Sequence, residues 1–138
     1  MWLFTTGGFF STVIDKMEPG RMLIRARCEK DIKNLYTRYR KLCPSTRKPT
    51  SDELRDYRWR LGVTKADFVK LLAQLAEQID YPNFKSAIHE REDQANKATP
   101  YLQIWGVMHS LQVEEDREYK HANRSEAVSE PRKRKADL

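Results

Sequence analysis

Two short segments of the chain carry arginines two residues apart, Arg25-Ala26-Arg27 and Arg58-Trp59-Arg60. In an extended strand, residues i and i+2 point to the same side, so each segment sets two guanidiniums on one face. A guanidinium offers a planar fork of donors that matches phosphate and carboxylate. If the two strands are neighbours, four arginines crowd one sheet surface. Like charges placed opposite each other destabilise a sheet, so such a cluster wants an anionic partner. The chemistry suited to this pattern is recognition of an anion. Lys30 and Lys33 follow closely in sequence and are candidates for the same surface. The plainer alternative is that local acids such as Asp31, Glu53 or Asp56 pair with the arginines, or that helices cover part of the face.

The distribution of charge agrees with this emphasis. The formal net charge of the 138 residues is +6. Residues 21–60 hold 13 Lys and Arg against 5 Asp and Glu, whereas residues 114–138 hold 7 of each sign. The excess therefore belongs to the first half of the chain, and an acidic partner is favoured there: nucleic acid, a phosphorylated ligand or an acidic protein face. The run Arg132-Lys133-Arg134-Lys135 has the form of a nuclear-import or nucleic-acid-binding segment, although short basic runs are also common in solvated tails. It is assigned an accessory role.

Aromatic residues are interleaved with the basic ones: Trp2, Phe4, Phe9, Phe10, Tyr36, Tyr39, Tyr57 and Trp59. Sheets that bind single-stranded nucleic acid combine these two ingredients. The aromatic signature of an RNA-recognition motif is missing, however, as is a KH-type GxxG loop, and alternating aromatics more often build a core.

Catalysis finds little support. His89, His109 and His121 lie in separate segments without metal-ligand spacing, and neither Cys28 nor Cys43 sits in a nucleophile motif. Gly7-Gly8 does not open a phosphate-cradling loop. Asp80 and Asn83, in Asp80-Tyr81-Pro82-Asn83-Phe84-Lys85, are explained by turn and capping chemistry. No enzyme, cofactor or metal is expected. No apolar run approaches the ~20 residues that span a bilayer, so no membrane partner is expected either. Two cysteines without CxxC spacing fit free thiols in a reducing, cytoplasmic setting.

The elements that must position these residues follow from periodicity. The stretches 2–4 and 9–14 read as a hairpin around Gly7-Gly8. Residues 22–28 alternate, with Met22, Ile24, Ala26 and Cys28 on one face and Leu23, Arg25 and Arg27 on the other. Residues 29–42 switch to helical spacing through Ile32, Leu35, Tyr36, Tyr39 and Leu42, and 44–53 read as a solvated loop. Residues 57–63 alternate again, with Tyr57, Trp59, Leu61 and Val63 on one side. Thr64 caps a helix carrying Phe68, Leu71, Leu72, Leu75 and Ile79. A short helix begins at Pro82. A last helix starts at Thr99-Pro100 and presents Tyr101, Ile104, Trp105, Met108 and Leu111. The expected fold is α+β: an antiparallel or mixed sheet of about four strands with helices packed on one face, a ferredoxin-like variant. It occupies residues 1–113 as a single domain, followed by a disordered charged tail over 114–138.

Several separated motifs, taken together, also resemble a group of short, uncharacterised bacterial proteins. They are Met1-Trp2-Leu3-Phe4-Thr5, Gly8-Phe9-Phe10-Ser11, Ile24-Arg25-Ala26-Arg27, Tyr57-Arg58-Trp59-Arg60-Leu61, Ile79-Asp80-Tyr81-Pro82-Asn83-Phe84-Lys85 and Trp105-Gly106-Val107-Met108. The resemblance spans residues 1–112. It implies a prokaryotic or mobile-element setting, which argues against a nuclear role for the tail, and it carries no activity or site residue with it.

The reading is thus a non-catalytic module that recognises an anionic partner through an arginine-bearing sheet face, nucleic acid first and an acidic protein surface second. The alternative is a small regulatory or inhibitory protein acting through an apolar or dimeric surface. Oligomeric state is not legible.

Overall fold

The first hairpin is closed by Thr6-Gly7, which joins β1 (Trp2–Thr5) to β2 (Gly8–Ile14). Only Gly8 of the glycine pair has a positive φ, at 150°. A Cβ on Gly8 would come within 2.7 Å of the Asp31 side chain and 2.9 Å of the Phe10 ring, so the position needs glycine for space as well as conformation. A second turn with Gly20 at φ 88° leads into β3 (Arg21–Ala26). α1 (Glu29–Tyr39) follows, then the two-residue β4 (Thr50–Ser51) inside the stretch read from sequence as a loop. β5 (Trp59–Thr64) and α2 (Lys65–Glu77) complete the layers, with Thr64 accepting from the Asp67 N–H at 3.3 Å as the expected cap. α3 (Phe84–His89) is capped by Asn83, not begun by Pro82, and a 3₁₀ turn covers Glu92–Lys97. α4 runs Ala98–Ser129.

This computed structural model describes the backbone of residues 1–129 and the side chains of residues 1–124; Arg132, Lys133, Arg134 and Lys135 lie outside the described residues. The chain divides into two compact units, Met1–Ala95 and a second beginning at Asn96, ahead of the boundary expected at Val113.

The fold of the first unit is α+β, on an open five-stranded sheet of order β1-β2-β3-β5-β4. Every pairing is antiparallel, so the chain leaves β3, passes through α1 and returns beside β3 in the opposite sense. β3 and β4, joined through α1, run parallel to each other on either side of β5, which is the split βαβ of the ferredoxin-like expectation, here with β2 on the far side of β3. The chain reaches β4 from α1, and the 52–58 turn then reverses it and lays β5 between β3 and β4. Period-two alternation fixes which residues face inward but not the direction of the neighbouring strand.

Alternation decides the core. Phe10 from β2, Ile24 and Ala26 from β3, and Leu61 and Val63 from β5 fall on one face. Ile32, Leu35 and Tyr39 of α1 and Phe68 and Leu71 of α2 close over it. Asp31 is buried in the first turn of α1, where its carboxylate accepts from the Phe9 N–H at 3.2 Å. β3 has already turned into α1 at this level, so the carboxylate supplies the acceptor that the ladder no longer offers to β2.

α4 is described by itself. It continues to Ser129, so residues 114–129, expected in a tail, are helical. Helix-forming Glu, Lys, Arg and Ala dominate there, and Asp116 stands four residues before Lys120. Pro100 is tolerated in the first turn, where the N–H it lacks has no intrahelical partner. Among the described residues, no helix is long and apolar enough to cross a membrane.

Candidate anion-binding sheet face

β3 and β5 are neighbours, and Arg25 stands directly across from Arg60. The same row continues to Ser11 and Trp2 on one side and Thr50 on the other. Residues paired across a sheet project to the same side, so this row lies on the face opposite the helices. Phe4, paired with Phe9, and Leu23, paired with Val13, share that face. Continuing the β3–β5 register brings Arg27 opposite Arg58, just past the paired segment.

The rings form a connected run. Phe4 stacks on Phe9 with centroids 4.7 Å apart, Trp2 meets Phe9 edge-on at 5.8 Å, and Phe9 reaches Tyr57 at 6.3 Å. Trp2 remains 64% exposed at the end of this run. Tyr57 is buried, and the guanidiniums of Arg25 and Arg27 lie over its ring at 4.8 and 4.3 Å. A buried phenol ring thus serves as the platform on which two cations rest.

The four arginines are held differently. Arg27 makes a two-pronged ion pair with Asp56, at 2.8 and 3.3 Å, and that hydrogen bond raises its pKa further. Arg58 is paired with Glu53. These two follow the alternative in which local acids absorb the charge. Arg25 donates to Ser11 Oγ at 2.7 Å and Arg60 to the Tyr57 carbonyl at 3.2 Å, both neutral acceptors. Neither has a carboxylate partner among the described residues, and the buried Nε of Arg25 has no hydrogen-bond partner. The unneutralised charge is therefore concentrated at the centre of the face, on Arg25 and Arg60.

Lys30 and Lys33 do not join this cluster. Both are on α1, which packs against the opposite face of the sheet, and Lys33 is engaged by Glu29 at 2.6 Å. Lys30 acts instead toward Asp93, whose carboxyl is held below its usual range chiefly by its hydrogen bond with Arg91.

The remaining polar clusters serve the scaffold. Asp67 accepts from the Ser45 N–H at 2.9 Å and from Lys70 at 2.9 Å, which pulls its pKa down to about 2. Ser45 and Thr64 share a hydroxyl contact at 3.0 Å, tying the loop after α1 to the start of α2. Cys43 is buried beside them and donates to the Asp67 carbonyl; burial pushes its thiol up, the opposite of nucleophile activation. Both cysteines are free. His89 is exposed at the end of α3, and His109 stacks on Trp105 at 5.2 Å. Among the described residues, no three His, Cys, Asp or Glu gather closely enough to hold a metal.

The aromatic list from sequence separates cleanly in the structure. Trp2, Phe4 and Phe9 join the arginine face, whereas Phe10 and Tyr39 are in the core and Trp59 packs against it. The contributions that sequence reading missed are Ser11 as the hydroxyl partner of Arg25 and Tyr57 as the shared platform. The parity of β2 through the hairpin would have found Ser11. Tyr57 precedes β5 and turns by a route that alternation does not describe.

The chain matches no protein-family model, no curated protein and no solved structure.

Proposed function

We propose that this chain is a non-catalytic binding module and that single-stranded nucleic acid is its partner, seated on the face of Arg25 and Arg60. The observation that carries the reading is the direct pairing of two arginines without carboxylate partners beside a run of stacked rings. The guanidiniums supply charge-assisted donors for phosphate, and exposed Trp2 with Phe4 and Phe9 supplies π-faces for bases. Stacking on bare rings is tolerant of base identity, so the preference is for unpaired strands over sequence. The Asp56 and Glu53 pairs flank this centre and hold Arg27 and Arg58 in fixed positions.

The test is fluorescence anisotropy with a labelled oligothymidylate over a salt series. Binding weakens steeply as salt rises, because each neutralised phosphate releases a counterion. Changing Arg25→Gln and Arg60→Gln together flattens that salt slope and weakens binding, whereas Trp2→Ala weakens binding by about 1–3 kcal/mol with the slope unchanged. Binding that survives the double change intact rules the site out.

A second reading, contact with another protein, draws on α4, where Leu102, Trp105, Val107, Met108 and Leu111 are exposed. Exposed apolar side chains at this density mark interaction surfaces. Sedimentation of the full chain with and without Trp105→Glu and Met108→Glu tests it: a salt-insensitive association that both changes abolish supports this reading.

A further inference from the structure

On the helix side of the sheet, at the β1–β2 end, lies a cavity of about 600 Å³. Its volume falls within the ~300–1,000 Å³ typical of small-molecule sites. Leu3, Phe10, Leu35, Leu72, Leu75 and Ile79 give it apolar walls. The gap arises because α1 and α2 cover β2, β3 and β5, while the inward side of β1 extends past their packed stripe. The charged groups that line it, Arg38, Arg91 and Asp93, leave a net positive charge. Tyr39 donates its hydroxyl to Gln78 Oε1 at 2.9 Å, which fixes the Gln78 amide in the wall and leaves its nitrogen as a donor. Asn34 lines the same wall, and Arg38 adds a guanidinium that has no carboxylate partner among the described residues. The carboxylate in the lining, Asp93, is taken by Arg91 through contacts of 3.1 and 3.2 Å.

We infer that this cavity binds an amphiphilic organic anion, its hydrocarbon body between Leu72, Leu75 and Phe10 and its acid group at Arg38 and the Gln78 amide. The apolar walls favour a chain or ring without polar substituents, since any buried polar atom there would lose its water without a replacement. The charge of Arg38, which no carboxylate among the described residues offsets, selects the anion over a cation or a neutral alcohol. The site is separate from the arginine face: Trp2, Phe9, Arg25 and Arg60 do not line it, and Phe4 on β1 is the residue the two share.

Decanoate and decan-1-ol, two probes with the same chain and different heads, test this by titration into the full chain followed by amide NMR. The expected result is saturable one-to-one binding of decanoate, with shifts at Asn34, Thr37, Tyr39 and Gln78, and at least about tenfold weaker binding of decan-1-ol. Arg38→Gln removes that tenfold preference while decan-1-ol binds as before. Leu75→Trp fills the cavity and abolishes binding of both probes in a chain whose circular dichroism is unchanged. Should Leu75→Trp fail to fold, Ala76→Leu at the cavity wall replaces it. Decanoate binding that is non-saturable, that shifts only other residues, or that Arg38→Gln leaves equal in preference overturns the inference.

Discussion

The two faces of the sheet are built from alternate residues of the same strands, yet they meet different demands. On the helix side, Phe10, Ile24, Ala26, Leu61 and Val63 are almost wholly removed from water. Their neighbours Phe9, Leu23, Arg25 and Arg60, one residue away along the same strands, remain half-buried. The first set gains its stability from apolar area, which is non-directional and tolerant of detail. The second gathers two guanidiniums opposite each other on one surface, an arrangement that packing alone would not favour. A period of two thus lets one strand carry stability on one side and recognition on the other, with little crosstalk between them.

The largest effect that separates the faces is on stability. Ile24→Ala leaves a cavity between the sheet and α1 and is expected to cost about 2–5 kcal/mol, while Leu23→Ala on the other face costs about 1 kcal/mol or less. Urea unfolding of the two variants measures the difference directly. Similar losses for both would mean that the arginine face is as tightly packed as the core, and would weaken its candidacy as a binding surface.

A smaller but sharper effect is expected at the point where the faces are tied together. Gly8→Ala places a Cβ against Asp31 and Phe10 and forces a side-chain residue to φ 150°. Asp31 must move, which frees the Phe9 N–H and shifts Phe9 in the ring stack. The expected cost is about 2 kcal/mol or more, together with altered tryptophan fluorescence from Trp2. Gly20→Ala, with a positive φ but open space around it, is the control for conformation without crowding.

Acid separates the faces in a further way. Asp67 titrates near 2 when folded, below its unfolded value near 3.8, so its contribution is fully present above pH 4. As pH falls from 4 toward 2 the carboxylate is protonated and the clamp on Ser45 and Lys70 is lost. The helix side should loosen over that window, whereas the contacts of Arg25 and Arg60, which involve a hydroxyl and a carbonyl, do not titrate. Asp67→Asn removes its share of the acid-dependent loss in this range, leaving that of Asp93, and lowers stability at neutral pH, both read from urea midpoints against pH.

Much of this arrangement was legible because it depends on local spacing. The alternation over 22–28 and 57–63 identified Ile24, Ala26, Leu61 and Val63 as inward and Arg25 and Arg60 as outward, and the Thr64 cap was readable from one residue type and one interval. Three features were not legible, each for a non-local reason. β4 is two residues long and exists only because β5 offers it an edge, so no periodicity announces it. Lys30 and Lys33 are close to Arg27 in sequence but are carried across the sheet when β3 gives way to α1. The split of the arginines into paired and unpaired depends on the 52–58 turn, which brings Asp56 to Arg27 and Glu53 to Arg58 but no acid to the centre.

The smallest expected effect tests that split. A double-mutant cycle on Arg25 and Arg60, using Gln at each position, should report a repulsive coupling of about 0.2–1 kcal/mol, since like charges stand directly opposite. The same cycle on Arg27 and Asp56, with Gln and Asn, should report an attractive coupling of similar size, because that pair is solvent-exposed. The opposite signs matter more than the magnitudes. Single substitutions would obscure them, because Arg60→Gln also removes the bond to the Tyr57 carbonyl and Arg27→Gln also uncovers the Tyr57 ring. The cycle cancels those losses and leaves the pairwise term. Urea is the appropriate denaturant, because guanidinium chloride is itself a salt and would screen both couplings. Raising sodium chloride to 1 M should shrink both toward zero, the Debye length then being about 3 Å. If the Arg25–Arg60 coupling is attractive at low salt, a carboxylate of the chain already neutralises the pair in the free protein. Arg25 and Arg60 would then no longer be distinguished from Arg27 and Arg58, and the centre of the face would lose its claim to a phosphate.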